Sequence, residues 1–325
     1  MTNSNLYETN FYKNNDIIEV RQIFKGNSSA HKFYVKTNDD KEFLLKFSLP
    51  SKISKIKSMA KYMKILTKAN IPMPHFIEYE ICKNGEICSI ETWCSGKAIL
   101  SLIKKTNENE AYKLGVQAGI VLRQIHNVSI RATTELAYER AMKRRKTRVN
   151  RYKMLEDNSD PLLNSLIHYF ENYNYDNLRE RMGDRCICHL DFHSGNILYC
   201  KQSGIKIIDW TLVGRGNPFE DLVYATYDAL RQGGNYEFFA AGQLDGYLHH
   251  MELDSMELNK FRSFFSFYFA RKILGRTKQS IRRKQSAKIS NRIAKNYKMF
   301  NWLNKQCGLE SFDFSNEVLE KIKNS

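Results

Sequence analysis

The sequence predicts an α+β fold in two parts: an N-terminal antiparallel sheet with one helix, then a larger and mostly helical C-terminal part. Three observations predict it. Residues 17–50 hold three β-rich runs separated by turn signals, residues 53–74 hold one helically spaced segment stopped by prolines, and from residue 98 onward the apolar spacing turns helical. The 325 residues suffice for two lobes with a buried core, and a 42% apolar fraction excludes a disordered chain. No apolar run approaches the roughly 20 residues that cross a bilayer, so no membrane partner is expected.

The first residues, MTNSNLYETNFYKNND, lack an apolar signal core and read as a short polar leader on a soluble, cytoplasmic protein. IIEVRQIFKG (17–26), AHKFYVKTND (30–39) and EFLLKFSLP (42–50), separated by GNSS and DDK, read as an antiparallel meander. A helix follows, with Ile53, Ile56, Met59, Met63 and Leu66 on one face, ended by Pro72 and Pro74. Two more strands, HFIEYEIC and EICSIETWC, lead to Ser95-Gly96 and complete a β-rich unit over 1–95. The remainder, 96–325, begins with an amphipathic helix carrying Leu114, Ala118, Val121, Leu122 and Ile125 on one stripe. Further helices are expected over 161–173 and in four segments between 219 and 305.

Charge is uneven. Of the formal +16, eleven basic residues fall between Arg271 and Lys298, and no acid lies between Glu257 and Glu310. That stretch suits a negatively charged partner or a solvated lysine-rich face, and it carries no nucleic-acid-binding motif, so nucleic acid is not the expected partner. The seven cysteines are odd in number and sit mostly in apolar runs, as buried reduced thiols do. Cys186 and Cys188 form a CxC with no second pair at zinc-site spacing, which argues against a structural zinc.

The stretch HLDFHSGNILYCKQSGIKIIDW (189–210) concentrates the chemistry. Two short apolar strands flank a turn at KQSG, so Asp191 and Asn196 lie on the loop entering the first strand and Asp209 ends the second. Three oxygen-bearing side chains at one sheet edge suit magnesium, which takes carboxylate and amide oxygens and leaves other positions to water and phosphate. The spacing follows the logic of phosphoryl transfer: a loop Asp for the attacking hydroxyl, then an Asn and a later Asp for the metal. Two other readings stand beside it. His189, Asp191 and His193 alternate and would share one face of a strand as transition-metal ligands, or the polar groups could merely cap turns. Upstream, the loop Gly26-Asn27-Ser28-Ser29 could lay amides and the Ser28 and Ser29 hydroxyls over phosphates, or be a plain hairpin turn. Lys46, between Leu45 and Phe47, could meet the α- and β-phosphates, or face outward on an edge strand.

At these residues the chain resembles the aminoglycoside phosphotransferase and choline kinase superfamily, small-molecule relatives of protein kinases. The likeness runs over roughly 17–303 and rests on the Gly26 loop, Lys46, IPMP, WCSGKAIL (93–100), LRQIH (122–126), HLDFHSGNILY, IIDW and GNPFEDL (216–222). It implies a two-lobed protein-kinase-like fold that transfers the γ-phosphoryl group of ATP or GTP to a hydroxyl with magnesium. It also implies Asp191 as catalytic base, Asn196 and Asp209 as metal ligands, and Lys46 as the phosphate lysine. The backbone at Thr92, Trp93 and Cys94 would face the base, Asp221 would brace the catalytic loop, and His126 would be a packed helix residue. One departure stands out. Met59 occupies the place where the family has a helix Glu to pair with the strand lysine, and no acid lies between Glu42 and Glu78. Lys46 is therefore expected to lean on another carboxylate, such as Asp209, or on the phosphates themselves, and a catalytically silent kinase-like binding protein is the rival reading. The basic segment 257–303 disfavours a polycationic antibiotic as acceptor and favours a neutral or anionic small molecule, a macrolide-type hydroxyl, or Ser/Thr in an acidic peptide.

Overall fold

A computed structural model describes residues 4–24, 30–130 and 186–248. The chain divides into two compact units, Met1–Leu102 with Gly195–Gly214, and Ile103–Ser194 with Arg215–Ser325.

The first unit opens with two short helices, α1 (Ser4–Glu8) and α2 (Asn10–Lys13), where composition suggests only a short polar leader. The expectation fails because two apolar residues in the segment are enough to anchor it. Leu6 and Phe11 are buried in one cluster with Phe33, Val35, Phe43 and Leu45. Thr9 caps α2 through the Tyr12 amide, and Glu80 accepts from the Asn10 amide at 2.8 Å.

The strands β1 (Ile17–Ile23), β2 (His31–Thr37) and β3 (Glu42–Ser48) form the expected meander. Next come α3 (Ile53–Lys68), β4 (Phe76–Ile81) and β5 (Ile87–Thr92). The sheet order is β1-β2-β3-β5-β4, so β5 inserts beside β3 and leaves β4 at the edge. On α3 the buried residues are Ile56, Met59, Ala60, Met63 and Leu66, the face that the helical spacing predicts. A second, three-stranded sheet joins β6 (Lys97–Ala98) to the hairpin formed by two strands of the 189–210 stretch. At the join Gly96, with φ 146°, passes so close that a Cβ would lie 2.9 Å from the Tyr199 carbonyl oxygen.

In chain order the unit closes on α4 (Ile99–Leu102), and the second unit is led by α5 (Glu108–Asn127). Asn107 caps α5 by accepting from the Glu110 amide, and Glu108 and Glu110 favour its positive end. The short strand β7 (Cys186–Cys188) lies against α5. Then come the hairpin strands β8 (Ile197–Cys200) and β9 (Gly204–Ile207), β10 (Gly214–Gly216) paired with β7, and the helices α6 (Pro218–Gln232) and α7 (Asn235–Leu248).

Helices α5 and α7 touch backbone to backbone through a glycine seam. A Cβ added to Gly115, Gly119, Gly242 or Gly246 would lie only 2.1–2.2 Å from the carbonyl oxygens of Phe239, Gln243, Tyr112 and Val116 respectively. The spacings G-x-x-x-G at 115–119 and 242–246 put each pair of glycines on one helix face, where any side chain would push the helices apart. No described helix is long and apolar enough to cross a membrane. The expected helices over 161–173 and beyond 257, and the basic run 271–298, lie outside the described residues.

Candidate active site

The expected hairpin forms. Strands β8 and β9 pair in register from Ile197↔Ile207 to Cys200↔Gly204, with Gly204 at φ 71° closing the turn. The Ile208 amide donates to the Asn196 carbonyl at 2.9 Å, so Asn196 at the start of β8 and Asp209 after β9 are set side by side in the first unit. Asp209 sits in the left-handed region, at φ 61° and ψ 65°, a conformation that costs a non-glycine residue about 1 kcal/mol or more. Its neighbour Trp210 is wholly buried and its indole donates to the Ile207 carbonyl at 3.0 Å, which pins the turn. Thr211 donates to Asp209 Oδ1 at 2.9 Å. Asn196 and Asp209 thus offer an amide oxygen and a carboxylate, a donor set suited to a hard divalent ion.

Lys46 is the most informative residue of this unit. It lies on β3, which is an interior strand between β2 and β5, and is 4% exposed, so it is not the outward-facing lysine of an edge strand. The missing helix acid is compensated from an unexpected element. Glu91 on β5, itself fully buried, accepts from Lys46 Nζ through both carboxylate oxygens at 3.0 and 3.1 Å. Burial opposes the lysine's charge, but the carboxylates of Glu91 and Asp209 outweigh it and hold its pKa above the ordinary value. Lys46 does lean on another carboxylate, as expected, but the direct partner is Glu91 and not Asp209. Its partner is local in the sheet and distant in the sequence, and Asp209 contributes charge without being the direct partner. Met59, which stands where the family has its helix Glu, is buried in the same wall.

These groups border a cavity of about 430 Å³. Lys32, Lys46, Lys52, Lys55 and His31 line it together with two carboxylates, Glu86 and Asp209, so basic groups outnumber acidic ones. Strand β5 ends at Thr92, and the chain runs on through Trp93 and Cys94, all three half-buried. The Thr92 amide is already bonded to the His75 carbonyl and the Trp93 amide to the Glu42 carbonyl, both at 2.9 Å. Burial pushes the Cys94 thiol up to about 11, so it stays protonated. Ser28 and Ser29, with their loop, lie outside the described residues.

In the second unit, Asp191 is gripped from its own neighbourhood. Tyr224 on α6 donates to Asp191 Oδ1 at 3.1 Å, and His193 Nε2 stands 3.8 Å from Oδ2. The loop that carries it is strained: Leu190 is left-handed at φ 63°, an outlier for a bulky residue. What holds it there is Asp221, whose two carboxylate oxygens accept the amides of His189 and Leu190, the latter at 2.7 Å. Asp221 itself is placed by the Asn217 cap and Pro218 at the start of α6, as GNPFEDL suggests, and His126 Nε2 lies 3.4 Å from it. The alternation of His189, Asp191 and His193 does not produce a common face, because this loop is no strand. His189 is fully buried, and its Nδ1 accepts from the Asp191 amide at 3.3 Å.

Fold also gathers His126 with Cys186 and Cys188, their ligand atoms within 4.8 Å of one another. Both ring nitrogens of His126 already face protein partners, Tyr247 at 2.8 Å and Asp221, so the cluster is closed by its own hydrogen bonds. Glu91 and Tyr224 are the site residues that sequence reasoning missed, and neither left a local signal; His193, read from the sequence as a candidate metal ligand, stands beside the Asp191 carboxylate.

A model of the phosphotransferase enzyme family matches residues 19–257. Among solved structures, the chain is similar to an amicoumacin kinase, hAmiN, in complex with AMP-PNP, Ca2+ and Ami. The TM-score is 0.55 at 13% identity, covering 85% of this chain and 87% of that one. It is also similar to the ADP-bound aminoglycoside phosphotransferase APH(2'')-Ib, with TM-score 0.58 at 16% identity over 89% and 97% of the two chains. A choline/ethanolamine kinase family protein from Mesorhizobium loti gives TM-score 0.56 at 13% identity over 99% and 98%. These likenesses establish the two-lobed, protein-kinase-like fold. No curated protein sequence matches the chain.

Proposed function

The chain belongs to the phosphotransferase enzyme family, and on that premise we propose that it moves the γ-phosphoryl group of ATP or GTP to a hydroxyl of a small molecule. The observation that carries the reading is the cationic cavity of the first unit, with Lys46 buried in its wall and the Asp209 carboxylate at its edge. Four lysines and a histidine suit a polyphosphate, and an oxygen-donor pair beside them suits the ion that accompanies one.

In this reading Lys46 contacts the α- and β-phosphates, and the Ser28 and Ser29 hydroxyls bind them as well. The base is met along Thr92, Trp93 and Cys94. Since the Thr92 and Trp93 amides are spent within the sheet, the Cys94 amide is the donor for the base. Magnesium, held by Asn196 and Asp209, would neutralise charge on the phosphates. Asp191 orients the acceptor hydroxyl and takes its proton on Oδ2, while Tyr224 holds Oδ1 in place. Catalysis of this kind is mainly positioning and charge neutralisation, which explains why the polar groups are fixed by strained loops and buried partners. The acceptor is a neutral or anionic metabolite or antibiotic, in keeping with the basic composition of 257–303.

Two measurements test the proposal. Thermal stability with magnesium-ATP and with magnesium-GTP should rise for at least one of them, and a radiolabelled transfer screen across aminoglycosides, macrolides, sugars, nucleosides and acidic peptides should label one class. Absence of both stabilisation and transfer rejects the reading.

A further inference from the structure

We propose that Glu91 is the positioning residue for Lys46, and that the pair is assembled permanently within the sheet, independent of helix α3. The proposal rests on the phosphotransferase reading above for what Lys46 touches, and on the register of two strands for the rest. Strands β3 and β5 are antiparallel neighbours in which Leu44 faces Glu91 and Lys46 faces Ser89. Lys46 and Glu91 are therefore diagonal neighbours on one face of the sheet, at a separation that long side chains bridge. Both side chains are at least 95% buried, and both carboxylate oxygens are used. A buried ammonium without a partner is strongly disfavoured, so Glu91 does more than decorate the lysine; it is what lets a charge sit there at all.

In protein kinases the acid that pairs with this lysine rides on a helix, and the position of that helix controls whether the pair exists. Here α3 offers Met59 to the cavity wall, and no acid lies anywhere from 43 to 77. The pair is instead tied into hydrogen-bonded strands on both sides. Ser89 Oγ donates to the Lys46 carbonyl at 3.4 Å, and the amides after Glu91 are locked to His75 and Glu42. Asp209 also bears on Lys46, but in the working enzyme its carboxylate belongs to the metal, which leaves Glu91 as the standing counter-charge. Because Glu91 immediately precedes the stretch that meets the base, the phosphate lysine and the base contact are carried by one rigid strand pair.

The test compares wild type with Glu91→Gln, Glu91→Asp, Met59→Glu and the double variant Met59→Glu/Glu91→Gln. Magnesium-ATP and magnesium-GTP affinity is read by calorimetry, slow nucleotide hydrolysis without acceptor by phosphate release, and folding by circular dichroism. Glu91→Gln should lose at least tenfold in hydrolysis, Glu91→Asp should keep part of it, and Met59→Glu/Glu91→Gln should recover most of it by returning an acid from the helix. A folded Glu91→Gln protein within twofold of wild type in affinity and hydrolysis overturns the proposal while leaving the phosphotransferase reading intact. Wild type that neither binds nor hydrolyses either nucleotide overturns that reading and the role of Glu91 with it. Should Glu91→Gln not fold, wild-type crystal structures with and without magnesium nucleotide decide. A Lys46 Nζ to Glu91 distance near 3 Å in both states supports the permanent pair, and one beyond 4 Å in either state refutes it.

Discussion

The two units solve the same problem, fixing a charged group, by opposite means. In the first, Lys46 is fixed by another buried charge, Glu91, reached across neighbouring strands. In the second, Asp191 stays half-exposed and its loop is fixed by backbone: Asp221 captures two successive amides and forces Leu190 into a left-handed turn. Asp221 in turn belongs to a core with His126 and Tyr247, which sit near the C-terminal ends of the glycine-lined helices α5 and α7. Charge pairing sets position at a large desolvation cost, whereas packing and amide capture set position while adding stability.

That contrast can be broken first at the buried pair. Replacing Lys46 alone by Met strands the Glu91 carboxylate and should cost about 3–5 kcal/mol in urea unfolding. Replacing both residues by Met should restore most of the loss, as it does where a buried pair gives way to apolar groups. If single and double variants lose equally, the pair is a stabilising element and the contrast is wrong. Next in size, Asp191→Asn should lower phosphoryl transfer about a thousandfold, about 4 kcal/mol in barrier, while nucleotide affinity by calorimetry stays at the wild-type value. Gly119→Ala places a methyl group into the Gln243 carbonyl and should destabilise by about 3 kcal/mol, seen as a lower urea midpoint, with the nucleotide affinity of the surviving folded fraction unchanged. Asp221→Asn keeps the shape but converts one acceptor to a donor facing an amide, and should cost about 2 kcal/mol and slow transfer through the loop. The smallest effect is expected from Tyr224→Phe, which removes one hydrogen bond to Asp191 Oδ1 and should reduce turnover by about fivefold with little change in Tm.

The same contrast explains what could be read from the residues. The hairpin that carries Asn196 and Asp209 at its ends was legible because both strands and their turn fall within one short stretch, and KQSG announces the pairing. GNPFEDL was legible for the same reason: an Asn cap, a Pro at the first helical position and the Asp one turn on form a local unit. Glu91 was not. It is 45 residues from Lys46, and only the insertion of β5 between β3 and β4 makes them neighbours; a simple meander would have placed β4 there instead. Tyr224 escaped for a similar reason, since a Tyr on an amphipathic helix carries no mark of what its hydroxyl will meet 33 residues away. The short helices α1 and α2 were missed because two anchors, Leu6 and Phe11, give too little periodicity to detect in a polar segment.

One consequence of the chain's path concerns biosynthesis. Residues 103–194 are translated before Gly195–Gly214, yet the latter complete the smaller unit, supplying the strands that extend β6 and the indole of Trp210 packed near α3. A nascent polypeptide therefore cannot finish its first compact body until residue 214 has cleared the ribosome. A gene fragment ending at codon 102 would encode the five-stranded sheet but leave β6 without β8 and β9, the rest of its own sheet.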